Sequence, residues 1–226
     1  MQPINYHLEK QRGLTLISLM VGLLLAMISI LAGMMLYKNI VQTTVQTRSD
    51  ALQDGQIASA MLTLQLELQS AGYGIPKDPT KTHIQLVGDH TIYWRFSDGT
   101  NQCRRFQIFT SQDGNARQLT LTKLKAGLCN LTDALPSFDW SDPDDAELNV
   151  LAEFRKSDAT AVNLPAIIST LTLGQACFPY GMGAKENHPL VTITAENAAI
   201  TVAKTADAAA TGPNAPFRYD FCLSNL

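Results

Sequence analysis

Few side chains in this sequence carry chemistry beyond packing: four cysteines, an acidic run, a basic group and four histidines. The acidic run is the densest. "DWSDPDDAE" places Asp139, Asp142, Asp144, Asp145 and Glu147 close together. Calcium takes about six to eight oxygens, and flexible acidic loops supply them. These five residues are therefore weak calcium candidates. The run does not follow the EF-hand pattern, and a solvated acidic loop is the plainer reading. No cofactor is implied otherwise. His7, His83, His90 and His188 lie far apart and show no close metal-ligand spacing. The chain has no GxSxG, no Walker loop, no dinucleotide fingerprint and no HExxH, so the expectation is that it is not an enzyme.

The basic residues form one group, Arg104, Arg105, Arg117, Lys123 and Lys125, in a chain of formal net charge −3. Binding a phosphate backbone takes several such contacts against competing salt. A solvated strand face explains the group better, and no nucleic-acid partner is expected. Cys103, Cys129, Cys177 and Cys222 allow three pairings. Cys103–Cys129 would bracket a hairpin, and Cys177–Cys222 would tie the C-terminal tail to a strand region. That pairing is favoured over the other two and over four unpaired core thiols. Each such bridge would stabilise by about 3–4 kcal/mol through the unfolded chain. A four-thiolate zinc site needs tighter spacing.

The elements that position these groups begin with an apolar run. No charged side chain occurs between Arg12 and Lys38. Residues 14–37 can cross about 30 Å of hydrocarbon as a helix. Thr15, Ser18 and Ser29 are the polar members, and their hydroxyls can bond carbonyls one turn back. The run is too long for a signal peptide, and no small-residue cleavage site follows it. It is also too long and too free of charge for an ordinary core helix. His7, Lys10 and Arg12, partly offset by Glu9, give a weak positive-inside signal.

Helical spacing continues past the run. Val41, Val45 and Leu52 recur, then Ile57, Met61, Leu64 and Leu68 mark one stripe, and no proline occurs before Pro76. The helix is expected to reach Ala71, with Gly72 or Gly74 as its left-handed stop. Leu62 and Leu66 add apolar surface on another side. A meander of about four strands follows: two around "GD" in "THIQLVGDHTIYWRF" and two around "QDGN". Ile84, Leu86, Ile92, Trp94, Phe96, Phe106, Ile108, Leu119, Leu121 and Leu124 are expected on one sheet face. Residues 129–161 read as an irregular insert with a short helix-like patch. Ile167–Leu173 and Leu190–Thr194 read as further strands, and Phe217–Leu223 as a last strand closing the sheet.

One further pattern adds to this reading. "QRGLTLISLMVGLLL" resembles the leader junction of type IV pilins and pseudopilins, in which a short basic leader ends in Gly and the next residue becomes a methylated N-terminus. "LQLELQSAGYGI" and "FRYDFCLSNL" are similar, more narrowly, to minor pilins of the PilW type. The resemblance implies an α+β, pilin-like fold: a long N-terminal membrane-spanning helix packed on an antiparallel β-sheet head. Its parts would be a leader at 1–13, a transmembrane helix at 14–37, an amphipathic extension at 38–75 and an extracytoplasmic head at 76–226. It implies cleavage between Gly13 and Leu14 by a prepilin peptidase. It also implies residence in the inner membrane with the head periplasmic, then a place in the filament at the cell surface.

The departure from the pattern is Ser18, where most pilins carry Glu. That carboxylate is thought to pair with the new N-terminal ammonium of a neighbouring subunit, and a charge in hydrocarbon is costly unless paired. Ser18 offers only a neutral hydroxyl. The implied role is a minor pilin that initiates type IV pilus assembly at or near the tip, supporting twitching motility and attachment. The implied partners are the major pilin, other minor pilins, the inner-membrane assembly platform and a tip adhesin. The alternative is a pseudopilin of a type II secretion or DNA-uptake machine, acting as a binding or tip module.

Overall fold

The computed structural model describes residues 16–76, 82–156, 164–178, 185–198, 200 and 215–226. Two compact units divide the chain, the first ending at Arg48 and the second beginning at Ser49. One helix, α1 (Leu16–Leu68), contributes to both. Its residues from 16 to 49 are all exposed. Within the second unit, Ile57, Ala60, Met61, Leu64 and Leu68 are buried. Their three- and four-residue spacing puts them on one face of the helix. Burying each large member stabilises by about 1.5–3 kcal/mol.

That stripe packs on strands that follow it in the chain. β1 (Ile84–Val87), β2 (Thr91–Ser97), β3 (Asn101–Thr110), β4 (Ala116–Leu124) and β5 (Ala146–Arg155) form an antiparallel meander in sequence order. The two expected turns join β1 to β2 and β3 to β4. The side-chain period of two sorts the strands. Ile92, Trp94, Phe106, Ile108, Leu119 and Leu121 enter the core with the helical stripe. Leu124 does not join them as expected. It differs in parity from Leu119 and Leu121, so it faces the opposite side, where it packs with Cys103, Cys129, Leu135, Trp140 and Ala146.

Two further expectations are corrected. Residues 129–161 are not wholly irregular, because β5 runs through them and gives the sheet a fifth strand. Its apolar residues do not alternate simply, because the register shifts between Leu119 and Thr120 of β4. Leu119 pairs with Ala152 and Thr120 with Val150, leaving Leu151 as the extra residue. Such a bulge turns the following side chains to the other face. Leu148 and Val150 thus stay exposed while Ala152 and Phe154 are buried. The helix-like patch is only a 3₁₀ turn at Leu135–Ser137.

The C-terminal strand does not close the first sheet either. β6 (Ile167–Cys177), β7 (Glu186–Ala195) and β8 (Phe217–Cys222) make a separate three-stranded antiparallel sheet. Ile167, Val191, Ile193 and Phe221 carry it onto the same core as the helix. Two disulfides are present, Cys103–Cys129 and Cys177–Cys222, spanning sequence separations of 26 and 45 residues. The second joins β6 to β8. Asn225 Nδ2 donates to Gln69 O at 2.8 Å and holds the tail to the end of the helix region.

The helix stops at Leu68, three residues short of Ala71, and tightens into turns. Gly72 and Gly74 both take positive φ, 79° and 67°. The turn then docks along β2: Gly72 N donates to Arg95 O at 2.9 Å and Ser97 N donates to Tyr73 O at 2.8 Å. A Cβ on Gly74 would collide with the Ser97 carbonyl, whereas one on Gly88, which also has positive φ, would meet open space. Gly88→Ala should cost about 1–2 kcal/mol for its left-handed backbone alone, and Gly74→Ala about 2–5 kcal/mol because the clash is added. Urea unfolding of the detergent-solubilised protein, followed by tryptophan fluorescence, measures both. Equal losses would mean that the close approach at Gly74 is unimportant.

Candidate functional site

Two surfaces of this protein stand out among the described residues. The first is the N-terminal part of α1. From Leu16 to Val41 its large apolar residues are exposed, including Leu19, Leu24, Ile28, Leu31 and Met35. The helix is long and apolar enough to cross a membrane. A soluble monomer rarely exposes an apolar patch beyond a few hundred Å². Ser29 Oγ donates to Leu25 O at 2.8 Å, so that hydroxyl adds no unpaired polar group. Ser18 lies in the first turns of α1 and is exposed. Gly13 and Leu14, where cleavage is expected, lie outside the described residues. In the second unit Leu52, Leu62 and Leu66 are also exposed on α1, away from the buried stripe.

The basic residues do not form one face. Arg104 points to the helix side of the sheet, where its Nε is 3.6 Å from Glu67 and the Lys123 Nζ is 2.9 Å from the same carboxylate. Burial pulls the Arg104 guanidinium below its ordinary value, and Glu67 opposes this. Glu67 thus ties α1 to β3 and β4. Arg117 donates to Pro165 O, and Lys125 to Asp144 O. Arg105 alone of the adjacent pair faces the other way, because neighbouring strand residues alternate.

Asp139 and Asp142 are likewise engaged locally. Asp139 Oδ1 accepts from Ser141 N at 3.0 Å and Asp142 Oδ1 from Asp144 N at 2.8 Å, each closing a turn. The bonds from the Ser141 backbone N–H and hydroxyl hold the Asp139 carboxyl below the usual carboxylate range. Among the described residues, no three His, Cys, Asp or Glu side chains are grouped to hold a metal ion.

The second surface is the outer face of the five-stranded sheet, the side away from α1. The segment 125–145 folds over one end of it. Several ties hold this segment. Cys129 is bonded to Cys103. Arg95 is buried and donates to Asp133 O at 3.0 Å and Thr82 O at 2.7 Å. Burial lowers the Arg95 pKa, with Asp133 opposing, but a guanidinium stays cationic at neutral pH. Arg105 Nη2 donates to Trp140 O and to Thr122 Oγ1, each at 3.2 Å, and its guanidinium lies 5.5 Å from the Trp140 ring centroid. Trp140 Nε1 donates to Leu135 O at 3.1 Å. Trp140 becomes the wall of a cleft whose floor is β3, β4 and β5.

Glu67 and Trp140 are not chosen by motif. A signal for Trp140 is present: a run with Leu135, Phe138 and Trp140 among its acids has too much apolar content for a purely solvated loop. Glu67 has no such signal, because its partners are distant in sequence.

No protein-family model, no curated protein and no solved structure matches this chain. The functional reading therefore rests on its own residues.

Removing the Arg105 guanidinium should free the wall. Arg105→Ala should red-shift tryptophan emission and cost about 1–3 kcal/mol through the unpaired Trp140 and Thr122 acceptors. The shift should vanish in a Trp140→Phe background, since Trp94 is fully buried elsewhere. An unchanged spectrum would show that Arg105 does not hold the loop.

Proposed function

We propose that this chain is a minor pilin of a type IV pilus, acting in the initiation of filament assembly at or near the tip. The observation that carries the reading is the pairing of two halves in α1. The half nearer the N-terminus is apolar and wholly exposed, and the other half buries one stripe against an antiparallel sheet. A subunit that begins in lipid and ends in a filament needs both. The exposed Leu52, Leu62 and Leu66 then provide apolar surface for neighbouring subunits. The resemblance of "QRGLTLIS" to a pilin leader junction agrees with this arrangement.

On this reading residues 1–13 are removed, Leu14 becomes the mature N-terminus, and the head is periplasmic until the subunit enters the filament. Its partners are the major pilin, other minor pilins, the prepilin peptidase, the assembly platform and a tip adhesin. Ser18 supports the tip position. A subunit that begins a filament has no earlier subunit whose terminal ammonium it must neutralise, so a carboxylate there is dispensable.

Deletion should lower the number of surface filaments, and the intact protein supplied in trans should restore it. Loss of protein secretion with normal filament number would favour a secretion pseudopilus instead. Ser18 gives the sharper test. Ser18→Ala should leave filament number nearly unchanged. Ser18→Glu places a carboxylate in hydrocarbon at a cost of about 2–3 kcal/mol without an assured partner. At a tip it should gain nothing. The amount of this protein in sheared filaments, normalised to the major pilin, decides. A clear rise with Glu would place the subunit inside the shaft.

A further inference from the structure

We propose that the cleft on the outer face of the five-stranded sheet binds a neutral, hydroxyl-rich saccharide. The cleft holds about 480 Å³. That lies within the range of about 300–1,000 Å³ typical of ligand clefts. Its wall is fixed before any ligand arrives, by the Cys103–Cys129 bridge and by the bonds from Arg105 to Trp140 and from Trp140 to Leu135. A preformed wall removes part of the ordering cost of binding.

The lining decides the class of ligand. β3 and β4 pair with Gln107 opposite Thr120 and Phe109 opposite Gln118. Gln107 and Gln118 are therefore diagonal neighbours on one face, near enough to serve one ligand. Neither side chain makes a hydrogen bond among the described residues. Each amide offers a carbonyl acceptor and an NH₂ donor. Adjacent hydroxyls of a sugar each donate and accept, so the two amides complement a diol. Phe109, 45% exposed, and Leu148, 58% exposed, give apolar surface beside them for the C–H face of a pyranose ring.

Other ligand classes fit less well. The Arg105 guanidinium already donates to Thr122 and Trp140 and stacks on the Trp140 ring. Asp142, also in the lining, sets a negative charge near it. A phosphate or sulfate would thus meet only this one guanidinium, whose Nη2 is engaged and whose Nε is buried. A purely apolar ligand would bury both amides unpaired, at about 1–3 kcal/mol each. A peptide adding as a strand needs an open sheet edge, which here is the outer edge of β5, whereas β3 and β4, which carry Gln107, Phe109 and Gln118, are each paired on both sides. The proposal stands whether or not the chain enters a filament.

The test uses the full chain in detergent on an array carrying neutral, sialylated and sulfated oligosaccharides together with unstructured peptides. The strongest neutral oligosaccharide is then titrated against the protein, read by tryptophan fluorescence and by calorimetry. Binding should be confined to neutral oligosaccharides. Gln107→Ala, Gln118→Ala and Phe109→Ala should each weaken it about tenfold or more, with thermal midpoints close to wild type. Gln118→Glu, which keeps the side-chain length but loses the NH₂ donor, should weaken it comparably. Gln112→Ala, on the exposed β3–β4 turn, should bind as wild type does. No neutral oligosaccharide bound above background would overturn the proposal. So would a preference for acidic glycans or peptides, or affinities that the cleft variants leave unchanged.

Discussion

Apolar surface that the described part of the chain does not itself cover is the constraint on which the rest of this molecule depends. At about 25 cal/mol per Å², a helix exposing large aliphatic side chains all round carries a penalty in water too great for a marginally stable head to offset. The chain from Leu16 to Val41 does so. Something apolar must cover it. Lipid can do this for a single helix, because every backbone group inside the helix is already bonded. Other helices of the same kind can do it as well, and on the pilin reading they replace lipid when the subunit leaves the membrane.

The second unit solves a different problem. Its core is one stripe of a helix, one face of a five-stranded sheet and a three-stranded sheet, meeting around Leu64, Trp94, Phe106 and Ile193. Glu67 fastens that helix face through Lys123 and Arg104. The opposite face of the large sheet would be left to water if the segment 125–145 did not cover part of it. Cys103–Cys129, Arg95 and Arg105 hold that segment down, and a cleft remains where the cover ends.

The helix and the two hairpins could be read from the residues because each rests on local periodicity. Ile57, Met61, Leu64 and Leu68 recur at helical spacing, and "QDGN" makes a turn in any context. β5 could not be read this way. A bulge at Leu151 breaks its alternation, and the bulge exists only through pairing with β4. Leu124 looked like a core residue beside Leu121, but parity sends it to the other face. The split into two sheets was equally invisible, since strand partners across loops are a tertiary choice. Of the candidate site, the exposed span follows from composition alone. The cleft does not, because Gln107, Gln118 and Trp140 come together only when β3, β4 and the covering loop are in place.

The pilin reading stands or falls on what happens at residues 13 and 14. A helix covered permanently by lipid has no need to lose its leader, whereas one that must enter a filament exposes a new N-terminus to do so. Intact-mass and peptide mass spectrometry of the protein recovered from membranes and from sheared filaments measures this directly. The account predicts a mature chain that begins at Leu14 and carries a methylated amine. A filament-associated or membrane-resident mature form that still contains residues 1–13 would contradict it.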